Sequence, residues 1–577
     1  MKFPSDDSVS TINSPGAGRS GGQLLVDQLV ALGVRTVFGV PGESYLPILD
    51  ALGDVQDTIR FVIARHEGAA AFMAGASGKL NGLPGVCLVS RGPGALHAAN
   101  GVHMAMQNST PMLLLVGQIA TSVREREAFQ EIDIRGIFGP IAKWAAEVAD
   151  ADRIPEFVSR AAETAMSGRP GPVVLGLPED VLRDYTHSPV LSPFEHGATV
   201  STAKTYRTIR AMLTQAKRPL ILAGGAGWTK SASQSLTRFV NDNHIAVATV
   251  FRYQDVIDNE LETYIGDVGM GINPSLASRL EEADLVLAIG PRLDDVTTGA
   301  YQRLSAPVPY QTLVHVHQGS DEIGRVYRPT LGIGASIPAF VAELAALEPL
   351  SSSAWSDWAD KARKDYLDWR APELTTMDER FVNLGFVMAQ LRELLPADAI
   401  LTNGAGNYTT WIHRYFTFRE YGTQLAPVGG SMGYGLPAAI AAKCLYPDRE
   451  VVALAGDGCF LMTGQELATA VQERLPVIML VVNNEMYGTI RLHQERRYPG
   501  RPFATDLVSP DFAALARSYG AYAETVERTD DFSGAFQRAL ASGRPALIEL
   551  RVDRKQLTPS LRLHAEQVAK LDRDNQQ

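Results

Sequence analysis

Cysteine is scarce: Cys87, Cys444 and Cys459 are the only three in 577 residues. None falls in a CxxC spacing. This argues against a disulfide framework or a cysteine zinc site and fits a reducing compartment. Long apolar runs are missing too, and none approaches the ~18 residues that a membrane-spanning helix needs. Basic blocks are also lacking. Lys and Arg number 53 against 64 Asp and Glu, for a net charge of −11, and no Lys/Arg cluster stands out. That pattern argues against a nucleic-acid partner. The first 20 residues are polar and Gly/Ser-rich and carry no apolar stretch of the secretory kind, so the expected location is cytoplasmic.

What is present describes a globular chain, 45% hydrophobic and 20% charged, too long for one ordinary core. Short apolar runs such as "RTVFGV", "GVCLVS", "PLILAGG", "VVALAG" and "VIMLVV" alternate with amphipathic stretches. Runs this short, bounded by turn residues, suit buried parallel strands. The fold class is therefore α/β, with three doubly wound parallel-sheet domains. Pro/Ser-rich or aperiodic seams at 182–201 and 347–366 place those domains at 21–185, 200–345 and 375–555, with a C-terminal tail at 556–577.

Two strand ends carry chemistry. "VVALAGDGCF" ends at Gly456-Asp457-Gly458, and "LVVNNEMYGTIRLHQ" stops its apolar run at Asn483-Asn484. In parallel α/β sheets, ligands bind beyond the carboxyl ends of the strands. An Asp carboxylate and an Asn carbonyl are hard oxygen donors. With a backbone carbonyl, two phosphate oxygens and water they complete an octahedron suited to Mg²⁺. Gly456 and Gly458 allow close backbone approach to a phosphate. A helix expected to start near Met462 would aim its positive end there. Each motif alone reads as an ordinary turn. Together, one strand–helix–strand unit apart, they resemble the GDG…NN fingerprint of thiamine diphosphate (ThDP) enzymes. The resemblance implies Asp457, Asn484 and the Met486 carbonyl as metal ligands, with Gly456, Gly458 and Gly488 against the cofactor.

Further segments resemble the acetolactate (acetohydroxyacid) synthase and pyruvate oxidase branch of that family. "RFVIARHEGAAAFMAGASGKLNGLPGVCLVSRGPG" (residues 60–94) resembles its pyrimidine-binding segment, and Glu67 falls on the activating glutamate. On local physics alone Glu67 is an acid in the first turn of a helix, an ordinary dipole partner. ThDP needs such a carboxyl group against its pyrimidine nitrogen, because proton sharing there promotes removal of the C2 proton. In "PVGGSMGYGLPAAIAAK", Met432 takes the place of the apolar residue that supports the bent cofactor. "TNGAGNY" resembles the diphosphate loop, implying Gly406, Asn407 and Tyr408. "AFQEID" places Gln130 near the reacting carbon. The implied order is pyrimidine-binding, central and diphosphate-binding domain. Each site is shared between two chains, so the resemblance implies a homodimer at least and a homotetramer as the common form. The implied activity is ThDP- and Mg²⁺-dependent decarboxylation of a 2-oxo acid, followed by carboligation or aldehyde release. A flavin-linked oxidoreductase of pyruvate oxidase type is the alternative.

The chain also departs from that pattern. Pro41-Gly42-Glu43-Ser44 replaces the synthases' Pro-Gly-Gly-Ala, which puts a carboxylate in the substrate pocket. His493 stands where biosynthetic synthases place a Trp, and Thr489 and Ile490 are expected to line the same pocket. Glu43, Glu67, Gln130 and His493 are thus the catalytic candidates. "GPRLDDVTTG" (residues 290–299) resembles a flavin-contacting segment. However, His315-Val316-His317-Gln318-Gly319 lacks both acids of the usual His-Ile-Asp-Ile-Asp, and "GMGIN" lacks the usual Gly-Met-His. FAD is therefore left open.

Overall fold

The computed structural model describes residues 18–194, 197–350, 354–372 and 380–563. Within the tail expected at 556–577, residues 564–577 lie outside the described residues, as do residues 375–379 at the start of the third expected domain. The described residues form three parallel sheets of six strands each.

The first sheet contains β1 (Thr36–Gly39), β2 (Arg60–Ile63), β3 (Gly85–Val89), β4 (Met112–Gln118), β5 (Trp144–Glu147) and β6 (Pro172–Pro178), in the order β2-β1-β3-β4-β6-β5. The central sheet contains β7 (Pro219–Ala223), β8 (Ala246–Val250), β9 (Tyr264–Val268), β10 (Leu285–Ile289), β11 (Thr312–His317) and β12 (Leu331–Gly334), ordered β9-β8-β7-β10-β11-β12. The third contains β13 (Ile400–Asn403), β14 (Gln424–Leu425), β15 (Val451–Gly456), β16 (Ile478–Asn483), β17 (Tyr522–Val526) and β18 (Ala546–Arg551), ordered β14-β13-β15-β16-β18-β17. Inner strands such as β4 and β16 are buried along their whole length. That burial is why they read as continuous apolar runs rather than alternating ones.

Three helices fix where the strand ends point. Helix α1 (Glu67–Asn81) starts at His66, whose Nδ1 accepts from the Gly68 N–H, and stops at Gly82 in the left-handed region. Its interior is mostly Ala and Gly, so α2 (Pro93–Gln107) packs hard against it. A Cβ on Gly101 would lie 2.2 Å from the Ala71 Cβ. Helix α3 (Gly435–Leu445), from the third unit, packs on α1. One continuous core therefore runs through the first and third units, whereas the central unit has its own. The central unit is pinned to the third by Asp255, whose carboxylate accepts the backbone N–H groups of Gly422, Thr423 and Gln424.

One expectation is corrected. The helix after Gly456 does not begin near Met462. A four-residue helix starts at Asp457 itself (Asp457–Phe460), and the next begins at Glu466. The chain turns at once, because Gly456 in extended conformation caps a helix whose first residue is the aspartate.

Candidate active site

β15 and β16 are neighbours, with Gly456 paired to Val482, so Asp457 and Asn484 emerge side by side. They open into a cleft of about 240 Å³. Its walls include every residue that the sequence reading placed on the metal and diphosphate side: Gly406, Asn407, Tyr408, Met432, Gly456, Asp457, Gly458, Asn484, Met486 and Gly488. Two of these glycines are needed for space. A Cβ on Gly458 would lie 2.6 Å from the Tyr487 ring, and one on Gly488 would lie 2.7 Å from Asn407.

The two asparagines separate. Asn483 belongs to the strand and donates from Nδ2 to the fully buried Glu549 carboxylate at 2.8 Å. Asn484 turns to the cleft. Its Oδ1 accepts from the Met486 N–H at 3.2 Å and keeps a second lone pair free. Burial pushes the Asp457 carboxyl up to about 6, against hydrogen bonds from the Gly458 N–H (2.8 Å) and the Ser509 hydroxyl (3.2 Å). A divalent cation would return such a carboxyl to its charged form. The Thr489 hydroxyl is buried on the cleft wall without a hydrogen-bond partner. A hard-oxygen donor set, a buried carboxyl and an unsatisfied hydroxyl fit a metal–diphosphate group. Tyr408 forms the floor: it is buried, packs over Gly406 and Gly456, and lies 3.5 Å from the Cys459 sulfur. Ile490 is on the wall and half exposed, whereas His493, one turn further along helix α4 (Gly488–Arg497), is exposed and off the wall.

A second cluster sits at the carboxyl ends of β1, β2 and β3, with Glu67 heading α1 after β2. Glu67 Oε2 lies 2.9 Å from His97 Nδ1, and the His97 ring stacks on His66 at 4.6 Å with 25° between planes. Donor atoms of His66, Glu67 and His97 all lie within 4.8 Å of one another. Stacked rings, however, send their in-plane lone pairs side by side instead of converging, and the Gly68 N–H already occupies His66 Nδ1. The arrangement serves hydrogen bonding better than metal coordination. Gln130 has φ +64° and lies over Gly92, where a Cβ would come within 2.8 Å of the Gln130 carbonyl. Arg91 ties the loop together, donating from Nη2 to Glu43 at 3.1 Å and from Nε to the Phe129 carbonyl at 3.3 Å. Glu43 is 68% exposed. Glu67, Gln130 and Glu43 are thus grouped with each other, but they are not on the walls of the Asp457 cleft.

At the central unit's switch point, between β7 and β10, the two histidines are engaged, whereas Arg292 Nε is buried without a hydrogen-bond partner. His315, pushed down to about 4 by burial, donates to the Pro291 carbonyl at 2.8 Å. His317 accepts from the Gly319 N–H. Arg292 faces Glu322, which is held at 2.7 Å by Arg169. Gln318 fills the space over Gly227. Residues 315–319 offer no carboxylate, so this segment does not fit the flavin site of the resemblance.

Sequence reasoning missed Ser509, Arg91 and His97. Ser509 reads as the lead-in to the helix capped by Asp511. Only the return of residues 505–507 along 485–487 brings it over Asp457. Arg91 and His97 flank the Gly-Pro-Gly turn and carry no periodic signal.

Comparison with known proteins agrees with this geometry. The thiamine pyrophosphate enzyme domains match in order: the N-terminal TPP binding domain at residues 19–137, the central domain at 206–344 and the C-terminal TPP binding domain at 404–550. The probable acetolactate synthase large subunit of Methanocaldococcus jannaschii is 32% identical over 556 residues, covering 93% of each chain. The acetolactate synthase large subunit of Corynebacterium glutamicum is 32% identical over 92% of this chain and 87% of its own. The acetolactate synthase isozyme 2 large subunit of Escherichia coli K12 is 29% identical over 92% and 96%. With three such domains in sequence and full-length likeness to these subunits, the chain belongs to the thiamine pyrophosphate enzymes, in their acetolactate synthase-like group.

Proposed function

We propose that the protein is a ThDP- and Mg²⁺-dependent 2-oxo acid decarboxylase and carboligase of acetolactate synthase type, working as a cytoplasmic homodimer or a homotetramer of such dimers. The observation that carries this reading is the Asp457 cleft, which gathers Asp457, Asn484 and Met486, the protein's share of a hard-oxygen donor set, beside closely approaching glycines. When bound, ThDP supplies the nucleophilic carbon and the electron sink for loss of CO₂. Asp457, Asn484 and the Met486 carbonyl hold the cation. Gly406, Asn407, Gly456, Gly458 and Gly488 leave room for the diphosphate, with Tyr408 beneath it. Met432 supports the bend of the cofactor. Glu67 holds a proton at its carboxyl against the pyrimidine nitrogen. Gln130, Glu43 and His493, with Thr489 and Ile490, surround the 2-oxo acid. The domains at 21–185, 200–345 and 375–555 serve as pyrimidine-binding, central and diphosphate-binding units. Glu67 lies off the walls of the Asp457 cleft, which supports a site completed by a second chain.

A screen of 2-oxo acids for CO₂ release with added ThDP and Mg²⁺, with products identified, tests the reading. Release that depends on both additions, with a 2-hydroxyketone or 2-hydroxy acid as product, is the expected result. Turnover that needs added FAD and reduces a quinone or oxygen would transfer the protein to the oxidase alternative.

A further inference from the structure

We propose that His97 is a positioning residue for Glu67, holding one carboxylate oxygen so that the other is presented to the cofactor; this rests on the reading of Glu67 as the activating carboxylate. Glu67 is the first residue of α1, and a side chain there has several open rotamers. The structure removes that freedom through three linked contacts. The Gly68 N–H fixes the His66 ring through Nδ1 at 3.0 Å. His66 stacks on His97 and sets its plane. His97 Nδ1 lies 2.9 Å from Glu67 Oε2. With Oε2 as the acceptor, this contact puts the ring proton on His97 Nδ1 and leaves Oε1 as the oxygen that can share a proton with the cofactor. Oε1 is left on the side of Gly94, where even a Cβ would stand 3.4 Å away, so nothing on that residue covers it. The bases of α1 and α2 are themselves locked by the Gly101–Ala71 contact, so the two partners cannot drift apart.

The holoenzyme variants His97→Ala and His97→Asn test this. The amide Nδ2 of Asn can stand close to the place of imidazole Nδ1, so Asn keeps the donor while losing the ring. The readouts are the ThDP dissociation constant and the rate of C2 hydrogen–deuterium exchange of bound ThDP. His97→Ala should slow exchange about tenfold while leaving ThDP affinity within about twofold, the size expected for losing one hydrogen bond. His97→Asn should restore exchange to within about threefold of wild type. Wild-type exchange in His97→Ala would overturn the proposal. So would His97→Asn remaining as slow as His97→Ala, since the ring's packing would then be the cause, or a parallel loss of ThDP affinity in both. Glu67→Gln separates the two levels. If it slows exchange strongly while His97→Ala does not, only the role of His97 fails; if it exchanges at the wild-type rate, the reading of Glu67 fails and this proposal with it.

Discussion

Adjacent asparagines in one motif do different jobs, and the difference can be measured. Among the described residues, Asn483 Nδ2 donates to Glu549 Oε1 at 2.8 Å, Arg551 Nε lies 3.4 Å from the same oxygen, and Oε2 receives the Thr525 hydroxyl; the carboxylate is 0% exposed. Asn483→Ala would remove the shorter of the two contacts to the buried Oε1 and leave that oxygen to the longer Arg551 pairing. It should cost about 1–3 kcal/mol of stability, read as a lowered urea midpoint. Asn484 bonds only its own turn and faces the cleft. Asn484→Ala should leave the unfolding free energy from urea titration within about 0.5 kcal/mol of wild type and weaken Mg²⁺-dependent ThDP binding instead. A reversed pattern, with Asn484 governing stability and Asn483 governing Mg²⁺, would refute the division. In the sequence the two residues are indistinguishable. What separates them is strand register, because Asn483 still pairs with Arg551 in the sheet and Asn484 is the first residue beyond it.

The elements most readable in the sequence are those buried on both faces. β3, β4, β7, β10, β15 and β16 all stand out as apolar runs, because every residue in them is buried except Gly456 at the cleft end of β15. The edge strands β5 and β17 do not stand out, although the edge strand β2 (Arg60–Ile63) does. Trp144–Glu147 and Tyr522–Val526 are only partly buried and carry Glu and Thr among their few residues. That Gly456, Asp457, Gly458 and Asn484 meet at one glycine-lined cleft could be read from spacing, since they come from strand ends whose order follows from β–α–β connection. Ser509 could not be, because its place depends on how residues 505–507 run back along 485–487, with Tyr487 donating to the Thr505 carbonyl at 2.8 Å and Leu507 to the Glu485 carbonyl at 2.9 Å. That returning segment has a functional consequence. Its Ser509 hydroxyl donates to the Asp457 carboxylate at 3.2 Å; if Asp457 holds the cation as proposed, Ser509 stands outside the ligand set, and partners of this kind typically govern affinity by 10- to 100-fold, roughly. Ser509→Ala should therefore weaken Mg²⁺ binding about tenfold, measured by Mg²⁺ titration of ThDP binding, without moving the thermal midpoint by more than about 2 °C. Unchanged Mg²⁺ affinity would mean that the segment merely covers the cleft.

At the scale of the whole molecule, the shared core of the first and third units contains a buried acid. Glu466 is fully buried and accepts from the Arg65 N–H at 3.0 Å and the Thr469 hydroxyl at 2.8 Å. Burial pushes its carboxyl up from 4.5 to about 7. A raised folded value means that the folded state keeps its proton while the unfolded chain ionises. The stabilising contribution is then complete below the unfolded value and is lost as pH rises through the folded one. Glu466→Gln keeps an acceptor for Arg65 and cannot ionise. Its stability should gain on wild type between pH 5 and pH 8 by at most about 3 kcal/mol, seen as a smaller fall in urea midpoint across that range. A constant difference at all pH values would show that Glu466 does not titrate there.

The same architecture makes a claim about assembly. Within one chain, Glu67 belongs to the His97–Gln130 cluster and Asp457 to the diphosphate cleft, and the cleft's walls include neither Glu67 nor Gln130. If the site of the proposed enzyme is completed across a dimer, each site takes its carboxylate from one chain and its metal clamp from the other. A chain carrying Glu67→Gln keeps a sound clamp, and a chain carrying Asp457→Ala keeps a sound carboxylate. Neither homodimer has a complete site. In a mixed dimer, one of the two sites receives both native groups and the other receives both defects. Co-expression of the two variants under different affinity tags, followed by tandem purification of the mixed species, should recover on the order of half the wild-type turnover per dimer, because the symmetry of a twofold interface repairs one site in two. Each variant alone should remain near background. Mixed dimers as inactive as their parents would place both groups within a single chain, in which case the chain would have to close its own first and third units on the cofactor.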